Sequence, residues 1–174
     1  MRLFIALPLG KEAAEAVAAY QAILRKAGVT GNFTRPDNLH MTLAFLGEQP
    51  GPEKATEALK ALRAPVGELV LDRLEVFRRT EILYLAPGED GPARTAALAL
   101  GKELRSRGFQ LEERPFKAHL TLCRRLRLPE GRLPPPEPVR VPVREAVLFE
   151  SHRPGGVLTY TPLLRKALEA KEGA

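Results

Sequence analysis

A nine-residue stretch that occurs twice constrains this chain more than any other feature. Residues 35–43 read Arg-Pro-Asp-Asn-Leu-His-Met-Thr-Leu and residues 114–122 read Arg-Pro-Phe-Lys-Ala-His-Leu-Thr-Leu, identical at five of nine positions and 79 residues apart. The same offset carries Leu3-Phe4-Ile5-Ala6-Leu7-Pro8 onto Ile82-Leu83-Tyr84-Leu85-Ala86-Pro87, and the Ala-rich segment 11–27 onto 91–106 without an insertion. Two copies of that length are too few and too long for a solenoid. They predict instead two similar strand–helix–strand lobes facing each other across a pseudo-two-fold axis. The 174 residues then form one domain in which strands and helices interleave, α+β or α/β in class. Lobe one is expected over about residues 1–80, lobe two over about 81–165, and a frayed helical tail over 166–174.

Local patterns fill in the units. Leu3–Leu7 is a short apolar run ended by Pro8 and reads as a buried strand. Ala13, Val17, Tyr20 and Leu24 fall at helical spacing and Gly28 follows as a stop. Strands are expected near Phe33, at 39–46, at 69–77, at 82–86 and at 118–123, with helices at 52–63 and 91–106. The proline-rich stretch 129–138 reads as a surface connection. Residues 139–150 read as a strand region with an edge or bulge at Pro142, residues 157–160 as one more strand, and the chain after Leu163 as a frayed helical turn.

The repeat carries its chemistry in its polar residues. His40 and Thr42 are two apart on a strand and so share a face, as do His119 and Thr121. A pseudo-two-fold axis brings both faces to one cleft, in a chain with only three histidines. Packing alone would keep apolar residues at such positions. Imidazole titrates near neutrality, so one histidine can be protonated while the other is neutral, a general acid opposite a general base. In-line displacement at phosphorus uses that pair, with threonine hydroxyls donating to non-bridging oxygens. A metal held by the two histidines lacks nearby carboxylates or cysteines to complete four ligands, and Asp37 has Phe116 as its repeat partner.

Other classes drop out. No glycine-rich phosphate loop, dinucleotide fingerprint or nucleophile elbow occurs. The apolar stretches fall far short of the ~20 residues of a membrane span, and the N-terminus reads as a strand rather than a signal peptide. The single Cys123 excludes an internal disulfide and fits a reducing cytoplasm; it reads as a packing residue on the histidine face. The net charge of +6 favours anionic partners and is uneven, +1 over residues 1–87 and +5 over 88–174. Arg124, Arg125 and Arg127 cluster on the His119 side of that asymmetry and suit phosphate contacts. Phe45 and Tyr160 are candidate base-stacking platforms, though core packing suits each.

The doubled motif resembles the two-histidine phosphoesterase superfamily, whose members carry H-x-T-x on opposed lobes, here His40-Met41-Thr42-Leu43 and His119-Leu120-Thr121-Leu122. The opening Arg2-Leu3-Phe4-Ile5-Ala6-Leu7, the segment from Arg35 to Gly47 and the late Leu148-Phe149-Glu150-Ser151 are similar to one branch of it. That branch is the bacterial and archaeal 2′-5′ RNA ligase or RNA 2′,3′-cyclic phosphodiesterase family. The resemblance implies a bilobal α+β fold whose antiparallel sheets face a central cleft lined by both motifs. It implies opening of terminal 2′,3′-cyclic phosphates to 2′-phosphates, with ATP-independent 2′-5′ joining as the reverse-type reaction. It implies His40 as proton donor and His119 as proton acceptor, and it points to Arg124 as a substrate-binding residue. Strand alternation turns Arg124 away from His119, so it reaches the cleft only if the strand ends or bulges there. The expected partner is an RNA end, tRNA fragments among the candidates, met by a cytoplasmic monomer without membrane, ATP, metal or other cofactor. Two rival readings keep the same cleft: a non-catalytic RNA-binding module, and a phosphodiesterase for small cyclic nucleotides.

Overall fold

The computed structural model describes residues 1–170. The apolar run at the N-terminus becomes β1 (Arg2–Pro8), with Leu3, Ile5 and Leu7 at most 1% exposed. Burying each such side chain is worth about 1.5–3 kcal/mol, which is why so short a segment can sit in the middle of a sheet. The chain continues through α1 (Lys11–Lys26), β2 (Thr30–Phe33), β3 (His40–Glu48), α2 (Glu53–Ala61), β4 (Gly67–Phe77) and β5 (Ile82–Pro87). It ends with α3 (Gly91–Ser106), β6 (Leu120–Arg127), β7 (Val139–Val143), β8 (Glu145–His152) and β9 (Thr159–Ala167).

Two antiparallel sheets result, with strand orders β3-β1-β8-β9 and β2-β6-β5-β4-β7. The class is α+β, the one of the two open classes that the resemblance implies. Each sheet draws strands from both halves of the chain: β2 and β4 of the first half lie in the second sheet, and β8 and β9 close the first. Helix α1 follows a strand of the first sheet yet packs near β7, and its Gln21 amide donates to the carbonyls of Thr34 and Leu122. Helix α3 lies against β3 and β4, and α2 against β8 and β9. The strands carrying the doubled motif, β3 and β6, come together where the two sheets meet.

The repeat is real but its offset drifts. In the pairing, Leu83 takes the place of Ile5 and Tyr84 that of Ala6, an offset of 78. Buried Ala13, Tyr20, Gln21 and Leu24 of α1 match Ala93, Leu100, Gly101 and Leu104 of α3, an offset of 80. The motif strands keep 79. Loops absorb single-residue slips that a rigid alignment cannot see.

Two further expectations are corrected. Residues 139–150 are two strands in different sheets, with β7 an edge strand that tolerates Pro142. The chain after Leu163 is not a helical turn: β9 pairs with β8 as far as Ala167, Leu168 is buried, and Glu169 bridges to Pro65. Pairing along an open sheet edge overrides the helix-forming Leu, Lys, Ala and Glu of that segment. Residues 171–174 of the expected tail lie outside the described residues.

Candidate active site

Strand β3 starts at His40 and alternates, with Met41 buried and His40 and Thr42 turned to the cleft. The alternation then breaks. Ala6 pairs with Thr42 and Ile5 with Ala44, so Leu43 is an extra residue, a β-bulge. Strand β6 repeats this: Tyr84 pairs with Thr121 and Leu83 with Cys123, leaving Leu122 extra. Past each bulge the facing inverts. Cys123 goes into the core with no exposed surface, and Arg124 turns to the cleft; on the other strand Ala44 packs inward and Phe45 turns out. The condition that strand alternation set for Arg124 is met, and the expectation that Cys123 shares the histidine face is not. Burial pushes the Cys123 thiol up from its ordinary value, so it stays a protonated packing group.

A second bulge in β6 follows. Thr30 pairs with Arg127 and Asn32 with Arg124, with Arg125 held at φ 51. Gly31, at φ 145, passes so close that a Cβ there would stand 2.7 Å from both the Arg124 carbonyl oxygen and Cys123 Sγ. Gly31→Ala is therefore expected to destabilise the protein by about 1–3 kcal/mol and to displace Arg124. Urea unfolding together with phosphate affinity checks this; a variant unchanged in both would show that the close approach is dispensable.

His40, Thr42, His119, Thr121, Arg124, Phe45 and Tyr160 line one recess of about 40 Å³, together with Thr34 and Asn38. Arg125 is exposed and outside it, and Arg127 turns away to an ion pair with Glu81 at 2.6 Å. His152, the third histidine, belongs elsewhere, against the Thr161 hydroxyl. Phe45 is 65% exposed, so the core-packing alternative fails for it, whereas Tyr160 is half-buried with its ring edge-on to His40 at 5.1 Å.

Both imidazoles are held the same way. His40 Nδ1 lies 2.7 Å from the Asn38 carbonyl oxygen and His119 Nδ1 2.9 Å from that of Lys117, two residues upstream in each copy. A carbonyl only accepts, so each Nδ1 carries the proton and donates it, and each Nε2 is left as the working nitrogen. The Thr42 hydroxyl donates to His40 Nε2 at 3.0 Å. Aromatic rings wall both groups: Phe4 lies 4.9 Å from the His40 ring, and Phe77 and Tyr84 stand edge-on to His119 at 5.4 and 5.7 Å. Behind His119, the Tyr84 hydroxyl donates to Glu75 at 2.7 Å and Lys117 Nζ donates to both, at 3.2 Å to Glu75 and 2.9 Å to Tyr84.

Burial lowers His40 to about 4; the Asn38 carbonyl works against that, and the positive charge of Arg124 and of His119 adds to it. Burial also lowers His119, with Arg124 and Lys117 adding to it and the Lys117 carbonyl opposing. Near pH 7 the recess by its own residues therefore presents two neutral imidazoles beside one guanidinium. An anion placed there pairs with Arg124 and raises both histidines toward protonation. The arrangement suits a phosphoryl group with a base and an acid on it.

Thr34 and Asn38 were missed in the sequence. The Thr34 hydroxyl donates to the Thr121 carbonyl, and the buried Asn38 amide donates to the Leu158 carbonyl. Asn38 stands inside the repeated motif, two before the histidine, and that position was its one available signal. Thr34 had none, because its repeat partner is Glu113.

Comparison with known proteins matches residues 7–84 and 88–159 to the family described as LigT-like phosphoesterase. An RNA 2′,3′-cyclic phosphodiesterase of Escherichia coli is 33% identical over 96% of each chain. One of Archaeoglobus fulgidus is 31% identical over 71% of this chain and 72% of its own. Among solved structures, Escherichia coli LigT complexed with 3′-AMP superposes with a TM-score of 0.83 at 32% identity, covering 96% of this chain and 97% of its own.

Proposed function

This chain belongs to the LigT-like phosphoesterase family, and we propose that it opens the 2′,3′-cyclic phosphate at the 3′ end of an RNA to a 2′-phosphomonoester. The observation that carries this is the pair of imidazoles, each anchored through Nδ1 to the carbonyl two residues upstream, that line one recess with Arg124. A water oxygen attacks phosphorus in line with the P–O3′ bond, His119 Nε2 takes the water proton, and His40 Nε2 delivers a proton to the departing O3′. A 2′-phosphate and a free 3′-hydroxyl remain. Arg124, Thr42 and Thr121 meet the non-bridging oxygens, where charge gathers. Because burial leaves His40 neutral near pH 7, its role as donor depends on the bound phosphate: the anion must raise it before it can give the proton. A 5′-hydroxyl in place of water would yield a 2′-5′ phosphodiester by the same steps.

The RNA activity of the relatives supports an RNA end as substrate. Among the described residues no helix is long and apolar enough to cross a membrane. We place the reaction in the cytoplasm, on tRNA fragments and by a monomer; the lone cysteine supports the first of these.

Phosphorus NMR of the product from a short oligoribonucleotide with a cyclic end, with and without EDTA, tests the reading. A 2′-phosphate formed equally in both is expected; a 3′-phosphate, or no turnover, would sink it. A pure RNA-binding module would bind this end unchanged. Arg124→Ala is expected to lower kcat/KM about 10- to 100-fold, the scale of a lost charge-assisted hydrogen bond. It also removes a positive charge that holds both histidines down. The pH profile should therefore shift upward, and an unshifted profile would count against that contact.

A further inference from the structure

The recess that takes the phosphate is small, but on the side of Thr42, Phe45 and His119 it opens into a groove of about 720 Å³ between β3, α3 and the segment 111–117. The groove is larger than the reacting group needs, and its lining has two parts. One is apolar: Leu98 is 60% exposed on α3, away from that helix's buried face of Ala93, Ala96, Leu100 and Leu104, with Phe116 across from it on the loop segment. The other is cationic. Arg94 is committed to Asp90 through two bonds of 3.0 and 3.1 Å, and Lys117 to Glu75. Arg105 and Arg114 have no carboxylate within 4 Å among the described residues, although Glu112 and Glu113 share the rim. The Arg105 guanidinium lies across Gly101, 3.0 Å from where a Cβ would stand, with Leu111 beside it.

An apolar floor flanked by uncommitted guanidinium groups is the chemistry that single-stranded nucleic acid meets: a base has a face to stack, and its phosphate a charge to pair. The groove is continuous with the recess through Thr42, Phe45 and His119. It also gathers cations from the second half of the chain, where the excess charge lies. We propose that this groove holds the ribonucleotide preceding the cyclic end, its base against Leu98 and Phe116 and its phosphate at Arg105 and Arg114. The protein thereby selects an oligonucleotide end over a free cyclic mononucleotide. This rests on the phosphodiesterase reading of the recess and adds to it a determinant of substrate length.

The test compares kcat/KM of the wild type, Leu98→Glu, Arg105→Ala and Arg114→Ala on two substrates, a tetraribonucleotide with a 2′,3′-cyclic end and the cyclic mononucleotide of the same base. All three positions are exposed, so the fold is expected to survive each change. The wild type should favour the tetranucleotide. Leu98→Glu should lower its kcat/KM roughly 10-fold, and each arginine variant should lower it and lessen its salt dependence by part of one phosphate contact, with the mononucleotide unaffected. A wild type without preference, or variants that lower both substrates by one factor, would overturn the assignment and leave the activity standing. A wild type inert on both would sink the phosphodiesterase reading and the groove with it.

Discussion

His40→Ala and His119→Ala are each expected to lower kcat on a cyclic RNA end by about 10²–10⁴-fold, the range for a positioned proton-transfer group. The two should not add. Once one proton transfer is lost, the in-line step is limited at that point, so the double variant should fall little below the worse single one. The two changes should differ in pH dependence, because each leaves the opposite limb of a bell-shaped profile in place. The limb that His119→Ala abolishes is the one where activity rises with pH, if His119 is the base. Full activity retained by either variant, after its folding has been checked by thermal unfolding, would remove the histidine pair from the mechanism. Loss of the same limb in both would reverse or merge the assigned roles.

Acid should destabilise this protein through the same residue. His40 titrates at about 4 in the folded chain and near 6.5 once unfolded, chiefly because it is buried. As pH falls, the unfolded chain takes up the proton first. Stability contributed by the neutral imidazole is complete above pH 6.5, drains away between 6.5 and 4, and the loss approaches about 3 kcal/mol below that window. His119, lowered by burial too, acts in the same direction. Urea unfolding at pH 7.5 and pH 4 should show a smaller drop for His40→Asn than for the wild type. Equal drops would mean that His40 is not held neutral by its surroundings. Inorganic phosphate should protect the wild type at low pH, since an anion in the recess stabilises the imidazolium that burial disfavours.

The motif residues were legible because their signal is local. Two residues along a strand return to the same face whatever the rest of the chain does, so His40 with Thr42 and His119 with Thr121 could be paired on paper. The helices showed in their apolar spacing, and the doubling of the nonapeptide announced two opposed units. The same logic failed one step further on. Counting by twos puts Cys123 beside the histidines and Arg124 on the far side, and a single extra residue at Leu122 reverses both. The matching extra residue at Leu43 leaves Phe45 exposed where packing seemed natural.

Most of the elements, the repeat and the polar pairs were therefore readable along the chain, since these follow from backbone periodicity and burial within a few residues. Only the packed fold settled the rest: which sheet β2, β4, β8 and β9 join, that the tail forms an edge strand, and that Arg124 reaches the recess of the two histidines. Those outcomes depend on register between distant strands and on the close passage of Gly31 over β6. Register is a contest among whole-strand pairings, settled by total burial, and no window of neighbouring residues contains it.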